Sequence, residues 1–309
     1  MPTPFESEVL RGLRSNPKQI PCKYFYDQKG SQLFDCICEL PEYYPMRTEQ
    51  SIMDRNIHEI VEQVGPGVML VEYGSGSSIK TRRLLEHLSD PVAYVPVDIS
   101  REHLLESAKQ IAEDFPDIEV LPVCADFTQE FRLPIARREP THSAVYFPGS
   151  TIGNFVPAKA EEMLARIAPL CGRGGGLLIG VDLQKDVEVL ERAYNDSQGV
   201  TADFNLNLLH RIRRELDTDL EPGDFRHHSF YNTEKHRIEI YIRSAREQQV
   251  RIGTETFFFT EDELIHTEFS HKYTVDEFAE MARRAGLQLR KSWTDEREYF
   301  AVLHLITID

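Results

Sequence analysis

VMLVEYGSGSS, residues 68–78, decides the fold class. Val68 to Val71 form a short apolar run ending in Glu72, the pattern of a strand buried on both faces of a parallel sheet. It ends in Gly74-Ser75-Gly76, a tight loop where missing side chains let the backbone approach a ligand. A helix over Ile79–Leu88 is predicted next. Reading outward, the alternation repeats. AYVPVD (93–98) is a second strand, and Ser100 caps a helix to about Phe115. Residues 118–123, AVYF (144–147) and GLLIGVD (176–182) are the third to fifth strands, with helices between them. Such alternation predicts a parallel sheet covered on both faces.

On the N-terminal side, Phe5 to Ser15 reads as helix, and Thr48–Val64 carries Ile52, Met53, Ile57, Ile60 and Val61 at helical spacing. Residues 23–50 are crowded with Tyr and Phe and broken by Gly30, Pro41 and Pro45, which reads as a lid or pocket wall rather than a regular helix. Beyond the fifth strand, 186–218 reads as helix throughout. HRIEIYIRS (236–244) and QVRIGTETFFF (249–259) alternate with period two, as antiparallel strands with one wet face. A helix from Thr274 to Ala285 ends at Gly286, and strands over 288–293 and 299–306 close the chain. The expected organisation is α/β, with residues 61–194 and 273–309 forming the sheet domain. Residues 1–60 and 195–272 are expected to form a second lobe.

Lys plus Arg number 35 and Asp plus Glu 51, a formal charge of −16. That balance disfavours nucleic acid and anionic membranes as partners and favours a small ligand in a local site. The five cysteines, Cys22, Cys36, Cys38, Cys124 and Cys171, match no zinc pattern and read as reduced thiols. No stretch reaches the roughly 20 apolar residues of a membrane span, and the N-terminus has no apolar signal core. A cytoplasmic monomer is expected. No His pair has helical ligand spacing with an intervening acid, so no metal is expected.

Chemistry enters at the strand ends. A nicotinamide dinucleotide would want a third glycine, and Ile79 stands there instead. Glu72 would repel a phosphate but suits the cationic methionine end of S-adenosyl-L-methionine. Asp98, ending the second strand, suits the two ribose hydroxyls. After the third strand, Asp126 suits the exocyclic amine of adenine and Phe127 the face of the base. Each of these signals has an ordinary structural explanation alone; together they mark the ligand edge of an open α/β sheet.

At this point the chain resembles the histidine Nα-methyltransferases of ergothioneine biosynthesis. KYFYDQKGSQLFD, LPEYYPMRTE, VEYGSGSSIKT, YVPVDIS, ADF, PGSTIGNF, GVDLQKD, YNDSQGVTADFNLN and HTEFSHKY occur in that order from about Tyr24 to the C-terminus. The resemblance implies a Rossmann-like seven-stranded methyltransferase sheet with a second α+β substrate-binding lobe. It implies S-adenosyl-L-methionine as cofactor and free L-histidine as substrate, trimethylated to hercynine. Gly74, Lys80, Asp98, Asp126, Phe127 and Thr151 fall on cofactor positions, with 149–151 as the loop beside the methyl donor. Tyr43, Asn154, Tyr194, Glu268 and Ser270 fall on histidine-contacting positions, and Tyr26 on the tyrosine near the reacting amine. Tyr26 and Asn154 are the candidate catalytic pair. Ile240 stands where well-known members carry a Met facing the substrate, a soft apolar change.

The residue chemistry fits those roles. Asn154 can donate to a carboxylate and accept from an amine, and Tyr194 can donate to the same carboxylate. Glu268 and Ser270, two apart on a strand, share a face and can grip an imidazole. Such a carboxylate would hold the ring protonated. An ordinary tyrosine has a pKa of about 10, so positioning the amine outranks general-base catalysis by Tyr26. The competing readings are an Nα-methyltransferase for tryptophan or another aromatic amino acid, and a sensor that binds S-adenosylmethionine or histidine without turnover. A Glu facing a buried indole would be poorly satisfied, which favours histidine.

Overall fold

A computed structural model describes residues 3–75 and 79–308. The chain divides into two compact units, Met1–Tyr44 with Asp186–Ser270 and Pro45–Lys185 with His271–Asp309. The divisions fall at 44/45, 185/186 and 270/271, where periodicity placed them at 60/61, 194/195 and 272/273. Each shift has a packing reason. Ile52, Met53, Ile57 and Ile60 of the helix Tyr44–Val64 are buried against Val68, Leu70 and Tyr146 of the sheet. The helix Val187–Tyr194 instead joins the strand Phe225–Asn232, where Tyr231 N–H donates to Glu191 Oε1 at 3.0 Å. Lys272 belongs to the sheet unit because its ammonium pairs with Asp182 at 2.6 Å.

In the sheet unit the strand order is 287–294, 300–307, 176–182, 142–147, 68–73, 93–98, then 119–124. All neighbours from 176–182 to the last are parallel, and 300–307 runs antiparallel to both its neighbours. The last position is split into Glu119–Val120 and Val123–Cys124, which pair with 93–98 at two separate points. Pro122 lies between the pieces and has no N–H to offer a ladder. The seven expected strand positions are therefore present, the edge one in two fragments. Alternation within the first strand sends Val68 and Leu70 to one core and Met69, Val71 and Tyr73 to the other. Helices cover both faces, which is why the strand is buried throughout. Strands 68–73 and 142–147 are neighbours whose further connections depart in opposite directions, the switch point at whose carboxyl ends ligands bind in open sheets.

The other unit carries a four-stranded sheet in the order 18–19, 264–271, 237–244, 225–232. Its core gathers Phe5, Phe25, Phe204, Leu208, Phe225 and Ile242. Three expectations need correction here. Within 23–50, Gln28–Glu39 is a regular α-helix. Asp27 caps it, accepting from Gly30 N–H at 2.7 Å. Gly30 looked like a breaker but is a packing glycine: a Cβ would sit 1.7 Å from the Phe25 carbonyl oxygen. Residues 186–218 form two helices, since Gly199 is left-handed (φ 76°) and Asp196 accepts from Val200 N–H at 2.9 Å and Thr201 N–H at 2.8 Å to start the second. QVRIGTETFFF folds back on itself as an antiparallel hairpin turning at Gly253 (φ 60°).

Candidate active site

In the sheet unit, Glu72 and Gly74 organise the carboxyl edge. Glu72 is buried, and its Oε1 accepts from Thr81 Oγ1 at 2.5 Å while Oε2 accepts from the Tyr94 hydroxyl. One side chain thus ties the first strand to the second and to the helix Ile79–Leu85. Its oxygens turn to protein hydroxyls, which differs from the expectation of a direct partner for a sulfonium ligand. Burial pushes this carboxyl up to about 7. Gly74 adopts φ +70°, with its N–H donating to Val97 O at 2.9 Å. A Cβ there would meet Phe127 only at 3.8 Å, so backbone conformation rather than crowding demands glycine. Gly76 and the Ile79 side chain lie outside the described residues.

Phe127 lies nearly parallel to Tyr73 (centroids 5.3 Å, 20°) and edge-on to Phe147 (5.6 Å). Asp98 is half-buried at its strand end, and its Oδ1 accepts from Ser100 N–H at 2.8 Å. Ser100 holds the N-cap position of the helix Arg101–Asp114, but its hydroxyl makes no capping bond. Asp98 and Cys124 are register partners, which brings Asp126 to the next strand end. Asp126 Oδ1 accepts from Thr128 N–H at 2.9 Å and from its hydroxyl, an Asx-type turn. Gly74, Asp98, Asp126 and Phe127 therefore come together at consecutive strand ends.

Lys80 and Thr151 form a second group. Lys80 is buried, and its ammonium pairs with the fully buried Glu49. The same Glu49 Oε2 accepts from Gly149 N–H at 2.9 Å. A Cβ on Gly149 (φ +77°) would lie 3.6 Å from Thr151 Oγ1 and 4.0 Å from Lys80 Nζ. Thr151 Oγ1 donates to Pro148 O at 3.1 Å, and Ser150 is left-handed (φ 58°), its hydroxyl accepting from Asp182 N–H at 2.8 Å. Asn154, half-buried, ends the 3₁₀ turn Thr151–Asn154. Before it, a Cβ on Gly153 would sit 2.8 Å from the His271 carbonyl oxygen. Asp182, wholly buried, takes both Lys185 and Lys272 at 2.6 Å and braces this edge. Sequence reasoning missed Glu49. Its signal was an acid on the apolar stripe of a helix, three and four residues before Ile52 and Met53.

The other unit gathers Tyr26, Tyr43, Tyr194, Glu268 and Ser270. Tyr194 and Ser270 are buried with their hydroxyls 2.9 Å apart. The Tyr43 ring meets Tyr194 edge-on at 6.1 Å and Phe34 at 6.3 Å. Tyr26 closes the cluster against Phe34 (5.7 Å) and Phe204 (5.6 Å). Burial first, then the neighbouring Tyr194, Cys38, Tyr26 and Glu268, pushes the Tyr43 hydroxyl well above its ordinary value, so it is a neutral donor. Glu268 and Ser270 share the strand Leu264–His271. Between them, the Phe269 ring lies tilted by 33° against the His266 ring with centroids 3.8 Å apart, and its centroid is 3.5 Å from the Arg237 guanidinium carbon. Burial lowers His266 to about 4, so its ring is neutral. Ile240 is buried beneath, its carbonyl accepting from Thr267 Oγ1 at 3.1 Å. Among the described residues, no group of His, Cys, Asp and Glu is arranged to hold a metal ion, and no helix is long and apolar enough to cross a membrane.

Residues 5–307 match the family model described as histidine-specific methyltransferase, SAM-dependent. The histidine N-alpha-methyltransferase of Mycolicibacterium smegmatis is 39% identical over 295 residues, covering 93% of this chain and 90% of that protein. The enzyme of the same name from Mycobacterium tuberculosis is 38% identical over 301 residues, covering 96% and 92%. The CcbJ methyltransferase of Streptomyces caelestis superposes with a TM-score of 0.53 over 92% of this chain and 100% of its own, at 14% identity, a likeness of fold.

Proposed function

This chain belongs to the histidine-specific, SAM-dependent methyltransferases, and from that membership we propose which residues carry methyl transfer to the α-amine of free L-histidine. Bound S-adenosyl-L-methionine supplies an electrophilic methyl on a sulfonium centre. The residues at the sheet edge fit that cofactor. Lys80 offers a buried cation for the carboxylate of its methionine end, and Asp98 a half-buried carboxylate for ribose hydroxyls. Asp126 and Phe127 offer an acceptor and a ring face for adenine, and Gly74 presents bare backbone beside that ring.

For the substrate we propose that Asn154 and Tyr194 bind the carboxylate and that Glu268, Ser270 and Tyr43 bind the imidazole. The observation that carries this assignment is the array of Tyr43, Tyr194 and Ser270, joined by a 2.9 Å hydroxyl pair, with Glu268 two residues away on the same strand. A carboxylate and neutral hydroxyls suit a polar cationic ring and leave an indole's surroundings poorly satisfied. Tyr26 and Asn154 are assigned to positioning the neutral amine, whose lone pair must meet the methyl in line. Carboxylate and ring contacts do not change as N–H groups are lost, which supports repeated transfer to trimethylhistidine. The five cysteines are thiols rather than disulfides, which supports a reducing, cytoplasmic setting.

Calorimetric titration of histidine and of tryptophan, with the demethylated cofactor present, tests the assignment. Histidine is expected to bind in preference, and Glu268→Ala to abolish that preference. An unaltered histidine affinity in Glu268→Ala, or tighter binding of tryptophan by the wild type, would refute the imidazole site.

A further inference from the structure

We propose that Glu49 is a positioning residue for the cofactor site, setting both the Lys80 ammonium and the backbone of the 149–151 loop; this rests on the assignment of Lys80 to the cofactor. Glu49 is 0% exposed and sits on the buried stripe of the helix Tyr44–Val64. Oε2 alone serves two elements: the Lys80 ammonium from the helix Ile79–Leu85, and Gly149 N–H at 2.9 Å from the loop after the strand His142–Phe147. Oε1 meets no hydrogen-bond donor among the described residues. It faces Gly180, where a Cβ would lie 2.2 Å away, so the sheet leaves the carboxylate just enough room.

A buried carboxylate with one oxygen unserved is expensive, and a hydrophobic residue at this position of the helix would be cheaper. Its presence makes sense if the charge has a use. Lys80 is itself only 8% exposed, and a buried ammonium needs a counter-charge to stay in place. Glu49 supplies it and fixes the direction in which the lysine reaches. Through Gly149 it also fixes the left-handed turn that carries Thr151, 3.6 Å from the position a Gly149 Cβ would take. The two loops assigned to the cofactor are thus referenced to one atom on a third element.

The test is titration of S-adenosylhomocysteine into the wild type, Glu49→Gln, Lys80→Met and the double variant. Gln preserves shape and removes the charge. Glu49→Gln is expected to weaken binding by about tenfold, the scale of one charge-assisted hydrogen bond. The double variant is expected to bind no worse than Lys80→Met alone, because the Gln amide oxygen can still accept from Gly149 N–H and what the substitution removes is the charge that serves Lys80. KM for the methyl donor is expected to rise in Glu49→Gln with kcat at saturation nearly unchanged. A residue needed only for folding would lower thermal stability and leave the affinity of the folded fraction untouched, and that result overturns the proposal, as do additive effects in the double variant. Should Glu49→Gln fail to fold, Glu49→Asp makes the same comparison with the charge kept and the reach shortened; wild-type affinity in it overturns the proposal. Undiminished binding by Lys80→Met would instead overturn the cofactor assignment of Lys80, a distinct outcome from weakened Lys80→Met with unaltered Glu49→Gln.

Discussion

The Tyr194 hydroxyl lies 2.9 Å from the Ser270 hydroxyl, and both side chains are buried. Two hydroxyls so placed can pass a hydrogen bond along, one donating to the other. Tyr194 ends the helix Val187–Tyr194 and Ser270 lies near the end of the strand Leu264–His271, so the pair fixes the separation of two elements.

Tyr194→Phe removes one member without changing the ring that meets Tyr43 at 6.1 Å. Histidine affinity is expected to fall by about 1.5–3 kcal/mol, the value of a hydrogen bond to a charged group. Cofactor affinity should be unaltered. Calorimetry with each ligand separates the two, and equal loss for both ligands would show that the ring cluster had collapsed.

Asp98→Ala is expected to cost about 1.5–3 kcal/mol of cofactor binding if its carboxylate takes the ribose hydroxyls. Its Oδ1 also accepts from Ser100 N–H at 2.8 Å, so the variant should lose some thermal stability as well. Asp98→Asn keeps an acceptor for that turn and separates the effects. An unchanged dissociation constant in both variants removes Asp98 from the site.

Gly74→Ala places a side chain at φ +70°, where about 1–2 kcal/mol of backbone strain is expected. Space is not the obstacle, since the nearest atom would be 3.8 Å away. Urea unfolding should show a loss of that size. A variant as stable as the wild type would mean that the turn tolerates a Cβ and that Gly74 is kept for its ligand.

The succession of strands along the chain was legible because the central strands of the parallel sheet are apolar runs ended by turn residues, but their order in the sheet is seen only in the structure. The helix Gln28–Glu39 was not, because Gly30 is a contact glycine that mimics a breaker in sequence. The break at 195–199 was equally hidden: Asp196 is one more polar residue in sequence, and only in three dimensions does it accept from Val200 and Thr201 N–H at the start of the helix Val200–Glu215. In the site, Gly74, Asp98, Asp126 and Phe127 were readable from their places after successive strands. Glu268 and Ser270 came from the resemblance, since T-E-F-S alone is an ordinary polar strand. Glu49 escaped because its function is a pairing with residue 80 and backbone at 149, which no local pattern encodes.

Glu72 gives a pH dependence of defined sign. Burial raises its folded carboxyl to about 7, above the usual carboxylate range. Between the unfolded and folded values the folded protein holds a proton that the unfolded chain lacks. Stability from this group is therefore full at low pH and declines as pH rises toward 7, then levels off. Glu72→Gln has no such proton to lose. The stability of Glu72→Gln relative to the wild type is expected to improve from pH 5 to pH 7.5, roughly the span between the two carboxyl values, read by urea unfolding. A constant difference would place the Glu72 carboxyl in the ordinary range, with the Thr81 and Tyr94 hydrogen bonds offsetting its burial.

This chain methylates the α-amine of histidine. The decisive measurement is mass spectrometry with fragmentation on a reaction of the purified protein, L-histidine and S-adenosyl-L-methionine. Products heavier by successive methyl groups, all on the α-nitrogen and ending at the trimethyl species, are expected. Methyl groups on a ring nitrogen, or turnover of tryptophan with histidine left intact, would show that the α-amine of histidine is not the acceptor.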